Sequence, residues 1–233
     1  ATIQHYARYG YDPALIVPAS VHDPNEMWLE IVALIRQIRN PWLKKLVSAL
    51  YRENKDRLLI LPASMLLHHD YRSGFLEHTL SMARIGLYLA KHYSLDSDLL
   101  LAGILLHDIG KIRELHGDLE TSYSDEGNFI GHIVIGYDII SEKINQIDNF
   151  PTDLSLKIKH MILAHQGNYE WGSPRKPAFR VALLLHMIDN LDAKMKLMEK
   201  ILSEDQNEGN WTDLRNYFRT AIHKESDASG QIG

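Results

Sequence analysis

Apolar residues recur every three or four positions along most of the chain, which is the spacing of one face of an α-helix. No alternation of apolar and polar residues reaches the length of a convincing strand. The pattern therefore predicts an all-α protein. Its clearest segments are 25–38 and 75–93, where the repeating positions are Trp28, Ile31, Val32, Ile35, Ile38, Leu76, Leu80, Ala83, Leu87 and Ala90.

Helix-breaking and capping residues divide this pattern into separate helices. Asn40 and Pro41 are expected to end the first helix, and Pro41 suits the first turn of the next one. Ser97 or Asp98 is expected to cap the helix that ends near His107. The helices predicted are 25–38, 42–54, 75–93, 97–107, 129–147, 153–166, 178–202 and 211–223, with a polar loop at 118–128 and a break at 203–210.

These helices are expected to form one domain, a single helical bundle over residues 26–223. Residues 1–25 contain Pro13, Pro18 and Pro24 and are predicted to form an irregular N-terminal arm or linker. The polar residues 224–233 are predicted to form a flexible tail. No internal repeat and no low-complexity segment interrupts this organisation.

Composition narrows the classes of function. The 233 residues are 45% hydrophobic and include no cysteine, which allows a large core but excludes disulfides and thiolate metal sites. No apolar run approaches the roughly 18–20 residues of a membrane span, and no signal peptide is visible, so we expect a cytoplasmic protein without membrane contact. The net charge of −5 argues against a broad basic face for nucleic acid. It permits a nucleic-acid substrate, since bound cations supply local positive charge.

Histidine is unusually frequent, with 13 residues. Some lie, together with aspartates, inside or at the ends of the predicted apolar helices, and a bundle projects such side chains into one internal site. A lone histidine of this kind is more often a satisfied core residue than a ligand, but so many on different helices favour a metal centre. The candidate ligands are His78, His107, Asp108, His132, His160, His165 and Asp189; the histidines taken as ordinary surface residues are His5, His22, His92, His116 and His223.

The stretch "LAGILLHDIGK" (101–111) indicates a functional site, because an apolar helix is followed there by His107, Asp108 and Lys111. Imidazole and carboxylate donors without thiolate suit Mn, Fe, Zn or Co better than Ca or Mg. The two oxygens of Asp108 can bridge two cations, which is how paired metals act on phosphoryl groups. Lys111 can bind a phosphate oxygen as a point charge, or merely compensate the helix dipole.

These residues resemble the HD superfamily, whose defining pattern is H…HD…D. The matching residues are His78 in "FLEHTLSMA", His107 and Asp108 in "LLHDIGK", and Asp189 in "LLLHMIDNLDAK". The resemblance implies that these four form a first metal site.

A second metal site follows from the same resemblance. His132 in "GNFIGHIVIG" and the pair in "HMILAHQG" are similar to the extra histidines of HD proteins that hold two metals. His132 and His165 would form this second site, with Asp108 bridging. His160 fits less well, because it precedes His165 by five residues, which is about 140° around a helix. It would reach the site only if the helix end distorts, or would lie behind the ligands.

The match extends to the bacterial HD-domain 3′→5′ exoribonucleases of the YhaM type over roughly residues 12–200. It is carried by "HHDYRSGFLEHTLS", "LAGILLHDIGKIREL", "GHIVIG", "KHMILAHQGNYEWGSP" and "DNLDAKM". The stretches include His68, His69, His186 and Asp192, which we interpret as substrate contacts or supports of the ligands. His186, three residues before Asp189, suits an orienting role.

The resemblance implies a metal-dependent phosphodiester hydrolase with one or two divalent ions, manganese first, or iron, cobalt, nickel or zinc. The ions would lower the pKa of a water that attacks phosphorus, and Asp108 and Lys111 would be the catalytic residues. The family's usual OB-fold nucleic-acid-binding domain has no strand-rich counterpart in this sequence. We therefore expect short oligoribonucleotides to be degraded about as well as long RNA.

Three alternatives stay open at this point. One is an HD phosphohydrolase of nucleotides or cyclic dinucleotides, although the chain has "NYEWGSP" where enzymes acting on cyclic di-GMP carry Gly-Tyr-Pro. Another is a di-iron oxygenase, because inositol oxygenases have a similar ligand set. The third is a non-catalytic metal- or nucleotide-binding module.

Overall fold

The structure, a computed structural model, describes residues 8–10, 18–64, 71–117 and 121–224. Most of the expected arm and tail lie outside these residues, as do His68 and His69. The described residues are mainly helical, which confirms the all-α prediction. The α-helices are α1 Pro24–Gln37, α2 Pro41–Glu53, α3 Lys55–Leu58, α4 Gly74–His92, α5 Ser97–Leu106, α6 Lys111–Glu114, α7 Asp125–Ile130, α8 His132–Asn145, α9 Thr152–Ala164 and α10 Arg180–Glu204. A 3₁₀ turn covers Tyr169–Trp171, and strands β1 Leu115–His116 and β2 Ser122–Tyr123 pair antiparallel.

Side-chain caps set the starts of the early helices. Asn40 caps α2 and accepts hydrogen bonds from the backbone N–H groups of Trp42 and Leu43. The cap of α5 is Asp96, which accepts from the Leu99 N–H, and the prediction of Ser97 or Asp98 is wrong. Asp98 instead accepts from the backbone N–H groups of Arg39 and Asn40, so it ties the start of α5 to the α1–α2 connection.

Helix α5 is the most enclosed element of the bundle. It packs against α2, α4, α9 and α10, and all of its residues from Leu99 to Leu106 are buried. Full burial of a leucine or isoleucine side chain stabilises the fold by about 1.5–3 kcal/mol relative to exposure. The apolar run before His107 therefore anchors the polar residues that follow it to the centre of the core.

The predicted helix 129–147 is interrupted at Gly131, which separates α7 from α8. Gly131 has φ 78° and ψ 154°, a backbone conformation that side chains other than glycine rarely adopt. The reversal of direction places His132 at the first position of α8. The predicted polar loop 118–128 also contains β2 and the beginning of α7.

The prediction of a last helix over 211–223 is wrong. This segment is a series of turns, closed by backbone pairing of Trp211 with His223. The side chain of Asn216 donates to the carbonyl oxygens of Asp213 and Thr220. Such local side-chain bonds offer the backbone an alternative to the helical ladder, which explains why the apolar spacing failed as a guide here.

No helix in the described ranges has both the length and the apolar composition to cross a lipid bilayer.

Helix α8 lies against the connection between α5 and α6 at Gly110. A Cβ atom at Gly110 would sit 1.9 Å from the carbonyl oxygen of His132 and 2.6 Å from the nitrogen of Gly136, both backbone atoms that cannot rotate away. A Cβ at Gly136 would find its nearest neighbour at 3.3 Å. The absence of a side chain at Gly110 is therefore what lets α8 approach.

We predict that Gly110→Ala lowers the free energy of unfolding by about 1–3 kcal/mol or more, because α8 has to move. Gly136→Ala is the matched control and should cost less than half as much. Thermal or urea unfolding of the two variants measures the difference. Equal losses would contradict the close approach at Gly110.

Candidate metal centre

Two histidines occupy equivalent positions just after the ends of two helices. His107 follows α5, and its Nδ1 donates to the carbonyl oxygen of Ile104 at 2.8 Å. His165 follows α9, and its Nδ1 donates to the carbonyl oxygen of Ile162 at 2.7 Å. A carbonyl oxygen can only accept, so the proton must be on Nδ1 in both rings. Each ring thus satisfies a carbonyl at a helix end through Nδ1 and directs Nε2 to the interior.

His78 in the first half of α4 is held by the carboxylate of Asp192 in α10. Its Nδ1 lies 2.6 Å from Asp192 Oδ2, and the hydroxyl of Ser81 donates to Asp192 Oδ1. Its Nε2 lies 3.2 Å from Asp189 Oδ1. Asp189 and Asp192, about one helical turn apart on α10, therefore each lie next to one ring nitrogen of His78.

His132 is held in the same way by Glu114 of α6. Both the backbone N–H and the Nδ1 of His132 lie 2.9 Å from Glu114 Oε1. The carboxylate thereby fixes the first residue of α8 and the orientation of its ring. Glu114 was not among the predicted site residues, because in "GKIRELH" it reads as an ordinary solvated charge. Only the fold shows that it is buried, with 6% of its surface exposed.

Asp108 lies between these rings. Its Oδ1 is 3.4 Å from Nε2 of both His132 and His165, and its Oδ2 is 3.4 Å from Nε2 of His107. The two oxygens therefore face different partners. A bridging role of Asp108 stays a prediction.

The donor atoms fall into two groups, each with one carboxylate and two imidazoles. His78, His107 and Asp189 form the first, and Asp108, His132 and His165 form the second; within each group the donor atoms lie within 4.8 Å of one another. In the first group, His107 Nε2 and Asp189 Oδ1 are 4.0 Å apart. Six of the seven predicted ligands are thus brought together.

The orphaned polar atoms test whether a metal fits. Among the described residues, Nε2 of His107, Oδ1 of Asp108 and Nε2 of His132 are buried side-chain atoms that have no hydrogen-bond partner. Buried polar atoms are nearly always bonded, and an ion is one of the few explanations for a cluster that is not. Imidazole nitrogens with carboxylate oxygens are also the donors that divalent Mn, Fe, Co, Ni and Zn accept. The residues fit a pair of such ions.

Charge in the centre is balanced by the protein itself. Burial opposes ionisation of Asp108, but Lys111 and His107 outweigh it and hold the pKa of this carboxyl well below its usual range. Burial likewise opposes ionisation of Asp189, yet the hydrogen bond from His78 lowers its pKa. For His165, burial dominates and lowers the pKa, which favours the neutral ring that a metal requires.

His78 differs from His165 because two carboxylates face it. Burial disfavours the charged ring, but hydrogen bonds to Asp189 and Asp192 outweigh burial and raise the pKa of His78 to about 9. A cation that binds between His78 and Asp189 has to displace this proton, as is usual when a protein takes up a metal.

His160 is not brought to the centre. It lies within α9, its Nε2 accepts a hydrogen bond from the backbone N–H of Ala178 at 3.0 Å, and its ring packs against Phe179. The helix does not distort enough to turn it toward His165. The prediction of His160 as a metal ligand is therefore not supported, because its Nε2 is hydrogen-bonded to the backbone of Ala178.

Three predicted contacts have different partners from those expected. Lys111 is buried and donates to Asp108 Oδ2 and to the carbonyl oxygen of Ala63, so it does not point into open space for a phosphate. Asp192 is only 4% exposed and holds His78 rather than facing a substrate. His186 donates from Nδ1 to the backbone carbonyl of His165 at 2.8 Å instead of orienting Asp189.

Sequence comparison agrees with this geometry. The model of the HD domain family matches residues 75–194, which contain all six clustered ligands. The chain belongs to the HD domain family. Its extra histidines, His132 and His165, lie within the same matched segment.

The chain is also similar to curated bacterial proteins named 3′-5′ exoribonuclease YhaM. It is 38% identical over 209 residues to that of Shouchella clausii strain KSM-K16, covering 87% of this chain and 65% of the relative. It is 37% identical over 207 residues to that of Bacillus subtilis strain 168, covering 86% and 65%. The chain thus spans slightly less than two thirds of the length of these relatives. No solved structure matches the chain significantly.

We predict that the purified chain holds roughly one to two transition-metal ions, as expected of a site built for a metal pair. Asp108→Asn should lower this content sharply, because one bridging charge serves both groups. His160→Ala should leave it unchanged. Metal analysis and melting temperature on the same preparations test this. If Asp108→Asn kept its full metal content and lost only stability, Asp108 would be a capping residue.

We further predict that Glu114→Gln weakens metal binding about 10- to 100-fold, because the carboxylate that fixes the His132 ring loses its charge. Glu126→Gln is the matched control, since Glu126 pairs with Arg113 at the surface of the neighbouring helix α7. Competition with a chromophoric chelator measures both affinities. Equal affinities for the two variants would exclude a role of Glu114 at the centre.

Proposed function

We propose that this HD domain is a metal-dependent phosphodiester hydrolase that acts on RNA in the manner of a 3′→5′ exoribonuclease. The observation that carries the proposal is the position of Asp108 between two groups of ligands. A shared carboxylate is the arrangement by which paired ions bind the attacking and leaving oxygens of a phosphoryl displacement. The similarity to proteins named as exoribonucleases supports RNA as the substrate.

Bound ions would supply a water of lowered pKa and positive charge for the phosphoryl oxygens. The chain's own residues prepare this chemistry. Four histidine rings are each fixed by a hydrogen bond at Nδ1. The partners are the backbone carbonyls of Ile104 and Ile162 and the carboxylates of Glu114 and Asp192. No side chain has to act as a covalent nucleophile, and the chain contains no cysteine.

Lys111 takes a positioning role in this proposal rather than the substrate contact expected from the sequence. Its ammonium lies 2.5 Å from Asp108 Oδ2, and only 11% of its side chain is exposed. Removal of one partner from a buried ion pair leaves the other charge uncompensated. Lys111 therefore acts through Asp108, whose orientation it holds.

We predict that Lys111→Met lowers metal affinity together with turnover, because Asp108 loses its anchor. A lysine that touched only the substrate would instead leave metal affinity intact and reduce the rate alone, by about 10²–10³-fold. Chelator competition and hydrolysis of bis-p-nitrophenyl phosphate on one preparation separate these cases. Unchanged metal affinity would overturn the positioning role.

The proposed activity is tested with a short oligoribonucleotide, a long RNA and bis-p-nitrophenyl phosphate, before and after chelation and re-addition of Mn²⁺. We expect hydrolysis that requires metal, proceeds without oxygen and is lost in Asp108→Asn. Dependence on oxygen would indicate the oxygenase alternative. Metal binding without turnover of any substrate would indicate a binding module.

A further inference from the structure

A cavity of about 270 Å³ opens beside the metal centre. Two of the proposed ligands, His165 and Asp189, contribute to its lining. A molecule held here would therefore be next to the reacting group. The neighbouring lining residues Trp171, Lys194 and Tyr217 have no part in the centre described above.

Trp171 is placed at the cavity by the loop that follows His165. The loop turns at Gly167, where φ is 78° and an added Cβ would lie 2.2 Å from the ring of His186. His186 holds the start of this loop through the carbonyl of His165 and has its ring centroid 5.9 Å from that of Trp171. Trp171 nevertheless stays 47% exposed. A large aromatic surface is thus held in place beside a metal ligand and left open.

Helix α10, which carries Asp189, contributes further lining residues. Ala193 and Leu197 add apolar surface. Lys194 is the only lysine or arginine among the described lining residues, and its Nζ lies over the Trp171 ring, 5.4 Å from the ring centroid. Tyr217, 53% exposed, lines the cavity from the turn segment after α10.

An aromatic face and a nearby cation match two parts of a nucleotide, the base and the phosphate. Bases stack on aromatic side chains without sequence preference, and lysine binds phosphate as a point charge. The volume is at the small end of ligand pockets, which suits one nucleoside rather than an extended strand. The net charge of −5 also favours recognition in a small pocket over a broad basic face.

We propose that this cavity, here called the Trp171 cavity, binds the nucleoside of the nucleotide unit whose phosphodiester is cleaved. The base stacks on Trp171, and Lys194 contacts a phosphate. The inference rests on the proposed hydrolase function and names the subsite through which that activity would select a nucleotide substrate.

The kinetic test compares a diadenosine monophosphate dinucleotide with its analogue that lacks both bases. Trp171→Ala should raise KM for the dinucleotide about 5- to 150-fold, the range given by loss of one base stack. It should leave KM for the abasic analogue unchanged, and Trp171→Phe should show a smaller effect. Lys194→Met should raise KM for both substrates, because both carry the phosphate.

Tyr88→Ala is the matched control, because Tyr88 is an exposed aromatic residue on α4 that does not line the cavity. It should leave both KM values unchanged. Equal effects of Trp171→Ala on the two substrates, or equal effects of Trp171→Ala and Tyr88→Ala on the dinucleotide, would overturn the proposal.

A binding measurement that needs no turnover separates failure of the cavity from failure of the hydrolase. Adenosine 5′-monophosphate should quench tryptophan fluorescence in the parent chain and not in Trp171→Phe, while ribose 5-phosphate should not quench either. Quenching lost in Trp171→Phe, in a chain that hydrolyses neither dinucleotide, would support the nucleotide subsite and overturn the hydrolase. Hydrolysis with no quenching that depends on Trp171 would overturn the subsite alone.

Discussion

Asp108 carries a negative charge at a point almost closed to solvent, and the Lys111 ammonium and three imidazole rings surround its two oxygens. Removal of a carboxylate from water costs several kcal/mol even after the protein relaxes, so the site is sustained only by the groups that face it. Lys111 compensates Oδ2, and Oδ1 lies 3.4 Å from Nε2 of both His132 and His165. A cation held by the second group of donors would interact with the same carboxylate that Lys111 holds.

Three of the histidines in the centre lie at the ends of helices. His107 and His165 bond the last carbonyls of α5 and α9, so each ring serves its helix and the metal centre at once. His132 takes the equivalent position at the start of α8, with Glu114 in place of a carbonyl. Ligands placed at helix ends are held by the rigid core behind them, above all by the buried run of α5.

The metal centre and the Trp171 cavity share His165 and Asp189. Nε2 of His165 is one of the clustered donor atoms, and its carbonyl oxygen accepts a hydrogen bond from His186. The loop that carries Trp171 begins directly after His165. Asp189 and Lys194 stand on one helix, one at the metal groups and one at the cavity. Movement of α10 would therefore displace residues of the metal centre and of the Trp171 cavity together.

The sequence by itself determined the helical class, most helix positions and six of the clustered ligands, because apolar periodicity and the residue types donating to metals are local properties. It misplaced the cap of α5 and the segment 211–223, where side-chain hydrogen bonds outweigh periodicity. Only the tertiary structure decided that Glu114 and Asp192 hold the rings, that Lys111 holds Asp108, and that His160 faces Ala178. Lys111 and Asp108 are close in sequence, but the other pairings join residues 18 or 114 positions apart. The partner of such a side chain depends on how separate segments pack, which residue spacing along one helix does not encode.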